Sequence, residues 1–270
     1  MSNNLHQNIH INLKGGLGNQ LFQFNKAVQI FDDQYEIVKP FIFHCSYLNT
    51  YRVQREPDII KFLHRCNFQN YQVGRDKFPP WLGKLLKRQY DHLRFRFNED
   101  TLIDGYYQSK LDFSRGVNHA KTFLDLGSAQ SKVLADAKIS CDFIAVHLRR
   151  GDYTQGRNTS IYSQLDESYY VEGLQSLDSS LPIMVFSDDI GEGNDLAYKL
   201  GGTFAGDLGL DVVDEFILMT AASGFVCANS TFSWWASVFS SAPTSAIVRP
   251  KDWFKNKRKM KGTIFNERAY

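Results

Sequence analysis

Short apolar runs alternate along this chain with stretches whose apolar residues recur at helical spacing. Ile9–Leu13 (IHINL) has the length and character of a strand. It leads through the glycine-rich turn Lys14–Gly18 into an apolar helical pattern from Asn19 to about Phe31. In the second half, Phe143–Leu148 (FIAVHL), Ile183–Ser187 (IMVFS), Phe225–Ala228 (FVCA) and Ala246–Val248 are continuous apolar runs, as strands covered on both faces require. Between them, Ser168–Leu177, Asn194–Leu200 and Val212–Ser223 have helical spacing, and Thr231–Ser240 continues as a helix after Asn229. This β-α-β-α series predicts an α/β architecture with parallel sheets. From Tyr51 to Ser114 the periodicity is poor, and a segment rich in Arg, Lys, aromatics and Pro79-Pro80 is expected to be helical and irregular. A boundary near residues 130–140 divides the chain into two α/β lobes, 1–135 and 136–270.

Composition narrows the function classes. A length of 270 residues fits one large domain or two small ones. With 31 Lys+Arg against 29 Asp+Glu, the net charge of +2 argues against a nucleic-acid binder built on a basic surface. Aromatic content of 14% is compatible with a carbohydrate or nucleotide site, although the core accounts for most aromatics. Cys45, Cys66, Cys141 and Cys227 lie far apart with no C-x-x-C pair, which predicts free thiols rather than zinc ligands or a disulfide framework. A strand beginning by Ile9 leaves no room for a signal peptide, and no apolar window of about 18 residues encodes a membrane span. The expected location is the cytoplasm.

Four segments carry candidate chemistry, each just after a strand, where open α/β sheets bind ligands. In Lys14–Gln23 (KGGLGNQLFQ), glycines let the backbone approach a ligand and the helix start favours an anion. A dinucleotide fingerprint fails, because Leu21 stands where the third glycine belongs and no strand-end acid follows about twenty residues on. Asn19 and Gln20 either cap the helix or face a ligand. In His147–Tyr153 (HLRRGDY), two arginines at a strand end need anions, and guanidinium binds phosphate bidentately. One arginine is expected to bind phosphate while the other braces Asp152. Phe186–Ile190 (FSDDI) offers paired carboxylates for a metal, for acid–base work, for the donor edge of guanine or for a helix N-cap. No D-x-D triplet occurs, and Arg149 with Arg150 can neutralise phosphate without a divalent ion.

In Cys227–Ala236 (CANSTFSWWA), hydroxyls and free N–H groups at a helix start form an anion cradle, while Trp234 and Trp235 read as packing. Asp214 and Glu215 suit a helix N-terminus, with a ribose contact as the alternative. Lys255–Lys261 (KNKRKMK) places five basic residues in seven, Lys255, Lys257, Arg258, Lys259 and Lys261: a solvated face, or a contact with anionic lipid head groups.

Together and in this order, GGLGNQLFQF at Gly15–Phe24, HLRRGDY at His147–Tyr153, FSDDI at Phe186–Ile190 and NSTFSWWAS at Asn229–Ser237 resemble the bacterial α-1,2-fucosyltransferases, glycosyltransferase family 11. Tyr107-Gln108-Ser109 matches the family's aromatic-Gln-Ser element. The resemblance implies a GT-B-like two-lobed fold with Rossmann-type parallel sheets, an acceptor-side N-terminal lobe and a GDP-fucose-binding C-terminal lobe. It also implies transfer of L-fucose from GDP-β-L-fucose to O2 of a terminal β-galactoside in a surface glycan, with inversion and with no metal or other cofactor. Donor-binding residues would be Gly16, Gly18, Asn19, His147, Arg149, Arg150, Asp188, Asn229, Ser230, Thr231 and Phe232. Arg149 would hold the β-phosphate and carry catalysis. Asp152 would be the base or a brace for Arg150, and a departing phosphate oxygen is the other proton acceptor. The enzyme would work at the inner membrane face, with peripheral contact through the basic run. Phe24 replaces the family's usual Tyr, and Tyr51–Arg94 matches no motif, which places acceptor choice there. The alternatives are another linkage or acceptor, or a catalytically silent GDP-sugar-binding module.

Overall fold

The computed structural model describes residues 8–32, 40–45, 57–74, 92–97, 100–109, 113, 120–121, 123–177, 180–256, 258 and 263–266. The chain forms two compact units, Met1–Asp125 and Leu126–Tyr270.

The first unit runs β1 (Ile9–Asn12), α1 (Leu17–Asp32), β2 (Phe41–His44), α2 (Asp58–Arg65), β3 (Tyr71–Val73), β4 (His92–Phe97) and β5 (Asp100–Gly105). Its sheet has the order β3-β2-β1-β5-β4, parallel except for β4, which pairs antiparallel with β5. Helix α1 is buried on nearly every side, with Leu21, Phe22, Phe24 and Val28 among its core residues. Helix α2 follows Pro57, which supplies no side-chain cap; instead Gln20 of α1 accepts the Ile59 N–H at 2.9 Å. The expected irregular middle of the chain therefore contains a helix, a strand and most of a hairpin. The periodic cues there are Ile59, Ile60, Phe62 and Leu63 at helical spacing and the alternation in His92–Phe97 (HLRFRF).

The second unit runs α3 (Leu126–Asp136), β6 (Ile144–Leu148), α4 (Glu167–Ser176), β7 (Ile183–Ser187), α5 (Ile190–Leu200), β8 (Thr203–Phe204), α6 (Val212–Thr220), β9 (Gly224–Val226), α7 (Thr231–Phe239) and β10 (Ile247–Val248). Every strand pair of its sheet, ordered β10-β9-β6-β7-β8, is parallel. Central β6 is buried at all five positions, as continuous apolar sequence demands. Val146, Leu148, Val185 and Val226 meet there with Tyr170, Leu196 and Phe204, and burial of each aliphatic side chain contributes about 1.5–3 kcal/mol.

Helices α4, α5, α6 and α7 start on Asp166, Asp189, Asp211 and Ser230, whose side chains accept from backbone N–H groups of the first turn. Each cap follows a strand, so the caps collect at the carboxyl edge of the sheet. Helix α5 stops at Gly201, left-handed at φ +66°.

The class is thus α/β, with two sheets of largely parallel strands, Rossmann-type and GT-B-like. Two expectations shift. The division falls after Asp125 rather than after residue 135, because Gln130 of α3 donates to the Thr220 carbonyl and hydroxyl, both at 3.0 Å, fastening α3 to α6. Helix α1 opens at Leu17 rather than at Asn19, so Gly18 lies in its first turn rather than before it. Among the described residues, no helix is long and apolar enough to cross a membrane.

Candidate active site

Strand β6 delivers His147 and then Arg149, Arg150 and Asp152 to the carboxyl edge of the second sheet. His147 is buried, with its ring 5.7 Å from that of Phe232 at the start of α7. Burial, with the Arg149 guanidinium beside it, pushes its imidazole down to about 3, so the ring is neutral at pH 7. Among the described residues its Nδ1 has no hydrogen-bond partner, and neither has the buried Nε of Arg149.

Arg149 sits between two carboxylates. Its Nη2 meets Asp152 Oδ1 at 2.6 Å and its Nη1 meets Asp188 Oδ2 at 3.0 Å. The Asp152 side chain is 58% exposed, so that pair contributes under about 1 kcal/mol and a phosphate can displace it. Asp188 is held harder: its Oδ1 also accepts the Arg150 N–H at 2.8 Å. That grip needs Gly151, whose φ is +21° and where a Cβ would lie 2.1 Å from Asp188 Oδ2.

Arg150 turns away. Its Nε meets Glu192 Oε2 at 2.5 Å and its Nη1 donates to the Leu165 carbonyl at 3.1 Å. The expected brace of Asp152 by Arg150 is therefore corrected: Asp152 holds Arg149, and Glu192 of α5 holds Arg150. Of the FSDDI pair, Asp189 caps α5 by accepting the Glu192 N–H at 2.9 Å, whereas Asp188 belongs to the arginine cluster.

The start of α7 meets this segment through His147 and Tyr153. Ser230 Oγ accepts the Phe232 N–H, and the helix presents the positive end of its dipole here. Asn229 is structural: its Nδ2 donates to the Ser163 and Trp253 carbonyls at 2.9 and 3.0 Å. Its own carbonyl accepts the Tyr153 hydroxyl at 3.1 Å, which ties HLRRGDY to NSTF. Trp234 and Trp235 are buried as packing. Glu215, in the first turn of α6, precedes Phe216, whose ring lies 5.1 Å from Phe232. Burial, with Asp211 nearby, pushes its carboxyl up to about 6.

In the first unit, Gly15 at φ +71° turns the chain from β1 into α1. Two glutamines of the motif hold the turn. Gln20 donates to the Gly15 carbonyl at 2.8 Å, and Gln23 accepts the Lys14 N–H at 3.1 Å while donating to Gly105 at 3.0 Å. Asn19 instead accepts from Gln108 of the aromatic-Gln-Ser element at 2.8 Å. Asp104 pairs with Lys14 beside it. Gly16 is exposed, with nothing within 4 Å of a Cβ there.

The structure thus gathers His147, Arg149, Asp152, Asp188, Ser230 and Phe232 at one sheet edge, and in the other unit it puts Gly16 on the turn and Gly18 and Asn19 at the start of α1. Sequence reasoning missed Glu192 and the ring of Tyr153. Glu192 lies 42 residues from Arg150, and nothing local marks the pairing. Of the basic run, Lys255 and Arg258 are exposed, while Lys257, Lys259 and Lys261 lie outside the described residues.

Comparison with known proteins places this geometry. The sequence model of glycosyl transferase family 11 matches residues 1–268. The chain is 25% identical over 306 aligned residues to the O-antigen biosynthesis glycosyltransferase WbnK of Escherichia coli, covering 93% of this chain and 97% of that one. It is 23% identical over 285 residues to an alpha-1,2-colitosyltransferase of Escherichia coli, covering 90% and 91%.

Proposed function

The chain belongs to glycosyl transferase family 11, and on that premise we propose that it moves L-fucose from GDP-β-L-fucose to O2 of a terminal β-galactoside in an O-antigen or similar surface glycan. The anomeric centre inverts and no metal takes part. The observation that carries this reading is Arg149: a guanidinium fixed at a strand end, with a buried Nε that has no partner among the described residues.

The charges dictate the chemistry. The acceptor O2 bonds to fucose C1 as the C1–O bond to the β-phosphate breaks on the opposite face, and the bonding pair leaves with GDP. Arg149 exchanges Asp152 for that phosphate and stabilises the charge growing on it, a type of effect worth about 3–4 kcal/mol. The helix start at Ser230–Phe232 adds N–H groups to the same anion. Neutral His147, beside Phe232, offers an unpaired ring nitrogen to the nucleoside. The acceptor proton passes to Asp152, released from Arg149 by the phosphate, or to the departing phosphate oxygen. The basic run lends contact with anionic lipid at the inner membrane face.

The colitosyltransferase relative favours a second reading, in which the donor sugar is colitose, fucose without its 3-hydroxyl. Offering GDP-fucose and GDP-colitose separately with a panel of β-galactosides distinguishes the two. Mass gain by fucose supports the first reading, and gain by colitose alone replaces it with the second.

A further inference from the structure

The guanidinium of Arg149 also lies over the end of an aromatic column. Its central carbon lies 5.3 Å from the ring centroid of Tyr153. Tyr153 stacks on Tyr162 at 3.8 Å and 9°, and Tyr162 packs on Phe254 at 5.4 Å. The far end of the column is anchored in the chain beyond β10. Tyr162 and Phe254 form a backbone bridge, Ser163 donates to the Trp253 carbonyl at 3.1 Å and Lys255 to the Ile161 carbonyl at 3.0 Å. Asn229 spans both segments, and the Tyr153 hydroxyl returns to the Asn229 carbonyl.

Contact through the π-face uses none of the N–H donors of an arginine. Both carboxylate contacts of Arg149 use those donors, and the Asp152 contact must yield for a phosphate to bind. The stack does not have to yield.

We propose that Tyr153 and Tyr162, footed on Phe254, are positioning residues that hold the plane of Arg149 while its donors pass from carboxylate to diphosphate. The inference rests on the reading of Arg149 as the β-phosphate ligand. It makes the segment around Trp253–Lys255, far along the chain from HLRRGDY, part of the donor site.

The test is the preference of the intact protein for GDP over GMP, measured by calorimetry, since only GDP carries the β-phosphate. Tyr162→Leu removes the stack and leaves Tyr153 in place. It is expected to weaken GDP binding several-fold, up to about tenfold, the scale of a lost aromatic pair, and to leave GMP binding unchanged. Tyr162→Phe, which keeps the ring, restores the preference. Should Tyr162→Leu not fold, Tyr153→Leu carries the same expectation. An unchanged GDP-to-GMP ratio overturns the proposal, as does equal weakening of both nucleotides, which marks a merely structural column. If the wild-type protein binds GDP no better than GMP, the reading of Arg149 itself falls.

Discussion

Replacing Gly151 with alanine tests how the arginine cluster is built. At φ +21° an L-residue strains the backbone, and the new Cβ would lie 2.1 Å from Asp188 Oδ2. The carboxylate can swing aside, but it then gives up the Arg150 N–H at 2.8 Å and the Arg149 Nη1 at 3.0 Å. Backbone strain costs about 1–2 kcal/mol. Asp188 is 26% exposed, so water recovers part of the loss, and each surrendered contact costs about 1 kcal/mol. The expected destabilisation is about 3–4 kcal/mol, with a fall in transfer rate of about tenfold or more as Arg149 loses its firmer anchor. Gly156→Ala is the internal control: φ there is +54° with nothing within 4 Å, so backbone strain is its sole cost. Urea unfolding of both variants, with initial transfer rates, gives the comparison. Equal destabilisation of the two, or normal transfer by Gly151→Ala, would refute the reasoning.

Other outcomes follow from the same geometry. Arg149→Ala is expected to lower turnover by at least about a hundredfold; near-normal turnover removes it from the mechanism. Stability should also fall with acidity. His147 and His44 are held near 3 and 4, below their ordinary 6.5, by burial and by Arg149 and His10 respectively. Above about pH 6.5 both are neutral in either state. As pH falls from there toward 4 the unfolded chain gains protons that the folded chain refuses, a loss of up to about 1.4 kcal/mol per histidine per pH unit. Denaturation midpoints at pH 7 and pH 5 check this, and a flat profile contradicts it.

What could be read from the sequence follows the physics of burial. Strands β6, β7 and β9 are covered on both faces, so they announce themselves as apolar runs, and the chemistry beyond them could be placed at strand ends. The cap at Asp189 and the packing of the tryptophans were legible for the same local reason. The region around α2, β3 and β4 was not. Helix α2 borrows its cap from Gln20, β3 has three residues, and the hairpin of β4 and β5 competes with a charge-rich context. Long-range polar pairing was opaque: HLRRGDY shows two arginines and one acid, but Asp188 and Glu192, outside it, decide how each arginine pairs. The stack of Tyr153, Tyr162 and Phe254 joins residues up to 101 positions apart, which no periodicity can reveal.

The central claim is a metal-free transfer of fucose to galactose O2, and the linkage of the product tests it most directly. The protein would be incubated with GDP-fucose and a β-galactoside in excess EDTA, and the product assigned by mass and NMR. A new α-fucosyl bond at O2, formed at the same rate with and without EDTA, is the predicted result. Fucose on another hydroxyl contradicts the linkage, and transfer abolished by EDTA contradicts the metal-free mechanism.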